Sequence, residues 1–317
     1  MRGIIKVQVS NSHISFTLEL ERNITIICGD SATGKTTLIG MLRDYEENGR
    51  SSGISVQCPK HCRVLTNADW EYRLNGIRDS IVFLDEGNGF VKSENFARAV
   101  QNSSNYYVII TRESLYQLPY SVNAILKLKT TGRRGKTYVR AYPQYDHLAD
   151  PVDRIQNIQQ IISEDSNAGH EMFDHIATEN HISCISARGK SNVFSQLANR
   201  TADRVLVIAD GAAFGSELEK IYQLMEAQPN KITLYLPESF EWLVLKSGIL
   251  GSQTPKEILD HPSDFIESSL YFSWEQYFTD LLIQLTHDTV LHYSKNRLNP
   301  SYLQPANVAK VLRAMQE

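Results

Sequence analysis

The sequence predicts an α/β protein built as two domains and closed by a helical C-terminal region. Three observations predict it. An apolar strand runs straight into a glycine-bounded loop and a helix in "NITIICGDSATGKTTLIGML"; a second apolar strand, "SIVFL", ends on an acidic pair; and three strand-helix units follow one another between residues 182 and 248. At 317 residues with 42% hydrophobic content, the chain is long enough to bury two cores.

The first strand, Ile24 to Cys28, leads into Gly29, Asp30, Ser31, Ala32, Thr33, Gly34, Lys35 and Thr36, with Thr37 next in the helix. This is the spacing G-x-x-x-x-G-K-[ST] in the strand-loop-helix setting a phosphate-binding loop (P-loop) requires. Glycines at 29 and 34 let the backbone curl so that successive N–H groups face a phosphate at a helix N-terminus. Lys35 is placed to reach the β- and γ-phosphates, and the Thr36 hydroxyl to ligate Mg²⁺. ATP with Mg²⁺ is therefore the expected cofactor. The Asn-Lys-x-Asp pattern of guanine readers does not occur in the chain.

The strand before Asp85 and Glu86 supplies the carboxylates such a loop needs. Asp85 is the candidate to hold Mg²⁺ through water, and Glu86 the candidate to polarise an attacking water. About twenty-five residues on, the strand Tyr106 to Ile110 ends on Thr111 and Arg112. Arg112 is either a sensor of the γ-phosphate or a surface arginine at a strand end.

Two N-terminal strands ("GIIKVQV", "ISFTLEL"), the P-loop, the Asp-Glu strand and the Thr-plus-polar strand, in that order, resemble the compact ABC/SMC-like ATPases of OLD-type (overcoming-lysogenization-defect) proteins. The resemblance implies ATP hydrolysis in mobile-element or anti-phage biology. In that family the position of Arg112 is usually histidine. Neither an LSGGQ-like signature nor a clear Q-loop between residues 45 and 80 is present.

The domain closes, at about residue 145, with "AILKLKTTGRRGKTYVRAY", two alternating strands around a turn at Thr131 to Gly135. Lys127, Lys129, Arg133, Arg134, Lys136 and Arg140 make residues 127 to 140 the most basic stretch. The hairpin either tracks a nucleic-acid backbone or forms a solvated sheet edge protected by charge. Charge is uneven: residues 1 to 145 carry 19 Lys/Arg against 13 Asp/Glu, and the remainder 13 against 23, so the basic first half permits contact with nucleotide or nucleic acid while the chain as a whole is no obvious polyanion binder.

Cysteine usage, with four in the chain, fits a reducing compartment. "CPKHC" places His61 between Cys58 and Cys62, either half of a zinc site or a solvent-exposed loop. No apolar run approaches the roughly 18 residues that span a bilayer, and the first residues lack the apolar core of a signal peptide. A cytoplasmic protein with no membrane contact is expected.

Residues 146 to 180 are predicted as a helical linker. "PQYDHLADP" at 143 to 151 marks the boundary, followed by helices at about 152 to 163 and 168 to 179. From 181 to 254, strands at 182 to 186, 204 to 209 and 231 to 236 each feed a helix, so a parallel three-strand core is expected, with the segments after all three strands sharing one crevice.

Those segments resemble a Toprim domain, the metal-dependent module of topoisomerases, primases and OLD-type nucleases, in which Glu-Gly-x-x-Asp and Asp-x-Asp-x-x-Gly supply the acids. Mapped onto that pattern, Arg188, with Gly189, Lys190, Ser191 and Asn192, stands where the glutamate belongs. The stretch from Asp210 to Gly215 keeps the first aspartate and the glycine but has Ala212 at the second. Glu238 and Glu241, after the third strand, add carboxylates to the same crevice. Two-metal chemistry needs several carboxylates, and a fixed arginine repels cations, whereas Arg188 and Lys190 at a helix start suit an anion.

Residues 255 to 317 read as helical, with Trp274, Phe278, Leu281, Leu282 and Leu285 on one face as core or partner surface. His287 and His292 are off register for a shared metal and take no catalytic role. The expected function is an Mg-dependent ATPase acting as a nucleotide-gated switch on a degenerate Toprim-like domain that meets a protein partner or a second copy. The alternatives are an ATP-regulated metal-dependent nuclease using Asp210 with Glu238 or Glu241, and a nucleotide-binding assembly protein that does not hydrolyse.

Overall fold

The computed structural model describes residues 1–29, 33–133, 135–145 and 157–316, the side chain of Arg133 excepted. Asp30, Ser31, Ala32, Arg134 and most of the predicted boundary, 146–151, lie outside the described residues. The chain divides into two units. The first is Met1–Tyr145 together with Ser263–Phe272; the second takes in the described residues from 157 to Pro262 and from Ser273 to 316.

The first unit is a nine-stranded sheet built from β1 (Ile5–Ser10), β2 (Ile14–Leu20), β3 (Ile24–Cys28), β4 (Ser55–Gln57), β5 (Cys62–Leu65), β6 (Ile81–Leu84), β7 (Tyr106–Ile110), β8 (Ile125–Arg133) and β9 (Lys136–Pro143). Their order is β4-β1-β2-β9-β8-β3-β7-β6-β5. From β8 through β3, β7 and β6 to β5 every pairing is parallel. Beyond β8 the pattern changes: β9 is antiparallel to β8, β2 parallel to β9, and β1 antiparallel to both β2 and β4.

Burial follows from this topology. Strands β6 and β7 are buried at every position, and β3 at all but Cys28, as parallel strands covered on both faces must be. Helix Lys35–Asn48 covers one face, packing Leu38, Ile39, Met41 and Leu42 into a core with Val7, Phe16, Leu18, Phe83 and Val108. On the other face, helix Glu94–Gln101 sets Phe96 edge-on to Tyr107 at 5.9 Å. In β1, by contrast, buried residues alternate with exposed or half-buried ones. One face of that half of the sheet is therefore left open.

The basic hairpin differs from the expected charged edge. β8 pairs with β3 and β9 with β2, so the hairpin lies inside the sheet, and β4 and β5 are the edges. Leu126, Leu128 and Val139 alternate with Lys127, Lys129 and Arg140 and enter the core, which leaves these three charges to the opposite face. Cys58 and Cys62 are half-buried and pack against this same core, not in an exposed loop. Among the described residues no group of three His, Cys, Asp or Glu side chains could hold a metal ion.

Residues 263–272 return to the first unit. Gly3 donates its N–H to Ser263 O at 2.7 Å, Asn23 Nδ2 donates to Ser268 O at 3.1 Å, and the Met1 ammonium is held by Glu267 and, at 2.8 Å, Ser268 Oγ.

The second unit holds β10 (Gln160–Ser163), β11 (Ser183–Ser186), β12 (Val205–Ile208) and β13 (Ile232–Tyr235), all parallel in the order β11-β10-β12-β13. The core thus has four strands where three were expected. Of the predicted helix 152 to 163, residues 152–156 lie outside the described residues and Gln160–Ser163 is β10, a central strand. So short an apolar run carries no decisive period, and pairing on both sides with β11 and β12 decides its conformation. β10 also separates β11 from β12, so the segment after β11 does not leave a strand adjacent to β12, whereas the segments after β12 and β13 do leave adjacent strands.

Helices Ala168–Glu179, Lys190–Ala198, Gly215–Ala227 and Phe240–Lys246 follow the four strands in turn. Helix Trp274–Thr286 starts with a capping box between Ser273 and Gln276 and buries Trp274, Phe278 and Leu282. Leu281 and Leu285 are half-buried. No helix of the described residues is long and apolar enough to cross a membrane.

Gly211, after β12, is required by contact. A Cβ there would lie 2.7 Å from Leu236 O and 2.9 Å from Pro237 O. Gly211→Ala is expected to cost about 1–3 kcal/mol of stability, read as a lower urea midpoint at unchanged m-value.

Candidate functional site

The carboxyl end of β3 carries the site in the first unit. Gly29 leaves the strand at φ +105° and Gly34 caps the following helix at φ +93°, backbone conformations that favour glycine. At Gly34 space is short as well, since a Cβ would meet the Phe16 ring at 3.1 Å. Lys35 is buried, and its ammonium donates to Gly29 O, the carbonyl at the opposite end of the loop. Thr36 and Thr37 are exposed in the first helical turn.

Two further strands bring charge to this place. β6 ends one residue before Asp85, which is half-buried and accepts the Glu86 N–H on Oδ1 at 2.8 Å. The Asp85 carbonyl is fixed by Asn88 Nδ2 at 2.9 Å. Past β7, which lies between β3 and β6, Thr111 is buried and turns the chain by accepting the Glu113 N–H at 3.0 Å. Arg112 projects from this turn and its Nε meets Glu86 Oε1 at 2.9 Å.

These residues surround a cavity of about 450 Å³. Its wall includes Thr33, Gly34, Lys35, Thr36, Thr37, Glu86 and Arg112, and on the far side Ile14, Thr130, Thr137 and Val139. Asp85 stands beside Glu86 in sequence but does not line it. The β2, β8 and β9 residues were not anticipated, because their place depends on the hairpin entering the sheet between β3 and β2.

A second group gathers at the carboxyl ends of β10 and β12. Asp210 Oδ1 accepts the N–H of Phe240 at 3.1 Å, capping the start of the helix after β13, and the Asp210 N–H donates to Glu164 Oε2 at 3.1 Å. Glu164, directly after β10, was missed; Glu164 and Asp165 end a strand as Asp85 and Glu86 do, but only Ile161 and Ile162 in that strand are apolar, which is a much weaker signal. Burial, then Glu275, Glu164 and Glu241, push the Asp210 carboxyl well above the usual aspartate range. Glu164 is raised as well, chiefly by burial.

The chain matches no family model and no curated protein.

Cations complete the second group. Lys190 Nζ turns inward to Ala213 O at 3.0 Å and Ser216 Oγ at 3.3 Å; burial lowers its pKa against the opposing pull of Glu164, Glu217 and Glu275. Lys295, which burial would lower, is raised by its ion pair with Glu275. Glu241 is buried and accepts the Tyr293 hydroxyl at 2.8 Å. Arg188 is exposed in the left-handed region at φ 57°, and Glu238 is half-buried on the turn before Ser239. The structure therefore brings Lys190, Asp210 and Glu241 together with Glu164, Glu275 and Lys295.

Both carboxyls have folded-state pKa values raised above their unfolded ones, so their ionisation opposes folding. That cost is absent below about pH 4, where both states are protonated, and grows as pH rises toward the folded values. Asp210→Asn keeps a cap acceptor for Phe240 and removes the charge. It is expected to raise the calorimetric Tm at neutral pH and leave it unchanged in acid; equal shifts at both would exclude a titrating Asp210.

Proposed function

We propose that the first unit is a P-loop ATPase similar to the ABC/SMC-like ATPases of OLD-type proteins, and that the second is a degenerate Toprim-like domain whose partner contact is gated by turnover. One observation carries the first half: the cavity in which Lys35, Thr36, Thr37, Glu86 and Arg112 meet at the end of β3. Its volume falls within the roughly 300–1,000 Å³ of small-molecule sites. Two cations in its wall suit a polyphosphate, and the helix N-terminus behind Gly34 adds to them.

In this reading Thr36 would hold Mg²⁺ and Asp85 would support it through water, and the ion would supply charge neutralisation to the phosphates. Lys35 leaves Gly29 O for the β- and γ-phosphates. The γ-phosphate competes with Glu86 for Arg112, and the released carboxylate takes the proton of a water whose oxygen bonds to the γ-phosphorus as the bond to ADP breaks. Titration calorimetry of the full chain with Mg-ATP tests it. Saturable binding of one nucleotide per chain is expected, and no heat at millimolar ATP would sink the reading.

The two lysines support the degenerate assignment of the second unit: Lys295 pairs with Glu275, and the charge of Lys190 favours an ionised Glu164, an offset that a metal would otherwise supply. The nuclease reading is favoured by Glu164, an acid on the strand adjacent to that of Asp210. Incubation of supercoiled and linear DNA with Mg²⁺ or Mn²⁺ separates the two. Cleavage by wild type and not by Asp210→Ala would establish the nuclease.

A further inference from the structure

Strands β8, β9, β2 and β1 bury one face and leave the other to solvent, and register assigns residues to the open one. Lys127 is opposite Tyr142, Lys129 opposite Arg140 and Thr131 opposite Tyr138. The ladder continues from Arg140 to Thr17 on β2, with Lys6 and Glu19 opposite one another further along on β1 and β2. Cross-strand partners share a face, and burial agrees: Lys6, Lys129, Thr131 and Arg140 are exposed, while their chain neighbours Ile5, Leu128 and Val139 are in the core.

This face has the chemistry of a polyanion platform with stacking surfaces. Lys6, Lys127, Lys129 and Arg140 face Glu19 as the acid on these ladder positions. Tyr138 and Tyr142, each 39% exposed, are the exposed large hydrophobic side chains on the strands of this sheet among the described residues. Lys129 Nζ lies 5.1 Å from the centroid of the Tyr142 ring, a cation-π contact that sets the ring among the charges. Same-face residues along a strand are about 6.6 Å apart, so cations and rings alternate on the scale of single nucleotides.

We propose that this open face binds single-stranded nucleic acid, with phosphates on Lys127, Lys129 and Arg140 and unpaired bases against Tyr138 and Tyr142. Charge complementarity selects the polyanion, and the two exposed rings select the single strand. A duplex keeps its bases stacked on one another and offers such rings nothing, whereas every unpaired base has a π-face. The site stands apart from the cavity at β3, which lies on the other face of the same sheet, and it does not depend on the nucleotide reading.

Fluorescence anisotropy of the full chain with labelled oligothymidylate, oligouridylate and a duplex of equal length, each about twenty nucleotides, tests the proposal. Both single strands are expected to bind more tightly than the duplex. Tyr138→Ala with Tyr142→Ala is expected to weaken single-strand binding about tenfold or more, while the two Phe variants retain it. Lys129→Ala with Arg140→Ala is expected to flatten the slope of log K against log salt by about 1.4, roughly 0.7 per lost phosphate contact. Retained circular dichroism certifies the fold of each variant. The proposal is overturned by no single-strand binding at low salt, by a preference for duplex, or by Ala variants that bind as wild type does.

Discussion

Replacing Glu86 by glutamine is expected to lower steady-state phosphate release by about 10²- to 10⁴-fold, the range associated with loss of a positioned general base. Nucleotide affinity is expected to change little, because Glu86 lies in the cavity wall as an acid and contributes no attraction to phosphate. Stability should hold too. The Arg112 pair that is lost is exposed, its side chains at 54% and 43%, and exposed pairs are worth about 0–1 kcal/mol. Release measured at saturating ATP, beside calorimetric affinity, separates the two effects. An unchanged rate would remove Glu86 as the base, and an absent rate in wild type would leave a nucleotide-binding assembly protein.

Lys35→Ala is expected to raise the Kd for Mg-ATP by about 10²- to 10³-fold. Its ammonium is buried, and truncating one member of a desolvated charge pair typically costs about 2–5 kcal/mol. The variant should fold, since Lys35 sits at the first position of its helix and the neighbouring Leu38 and Ile39 make the core contacts. Unaltered affinity in a folded Lys35→Ala protein would place the nucleotide elsewhere.

The strands that position the cavity were legible because they are buried almost throughout. β3, β6 and β7 begin and end where their apolar runs do, and fully buried parallel strands must read that way. β10 was not legible. Its run is short, its flank is glutamine-rich, and a central place between β11 and β12 is a property of the assembled sheet. That omission hid Glu164, while Arg188, set against the family's first acid by its sequence pattern, follows the edge strand β11. Thr130 and Thr137 were hidden for a related reason: a wall formed by residues about a hundred positions from Lys35 is created by strand order, which local pattern does not encode.

The return of residues 263–272 to the first unit makes the chain cross between units more than once. Gly3, Asn23 and the Met1 ammonium all take hydrogen-bond partners from that late segment. A fragment ending at Tyr145 would lack Ser263, Glu267 and Ser268, and would expose donors that the whole chain satisfies. The two units are therefore not separable cassettes: no single cut divides them, and neither could be exchanged between proteins by one recombination event without leaving part of itself behind.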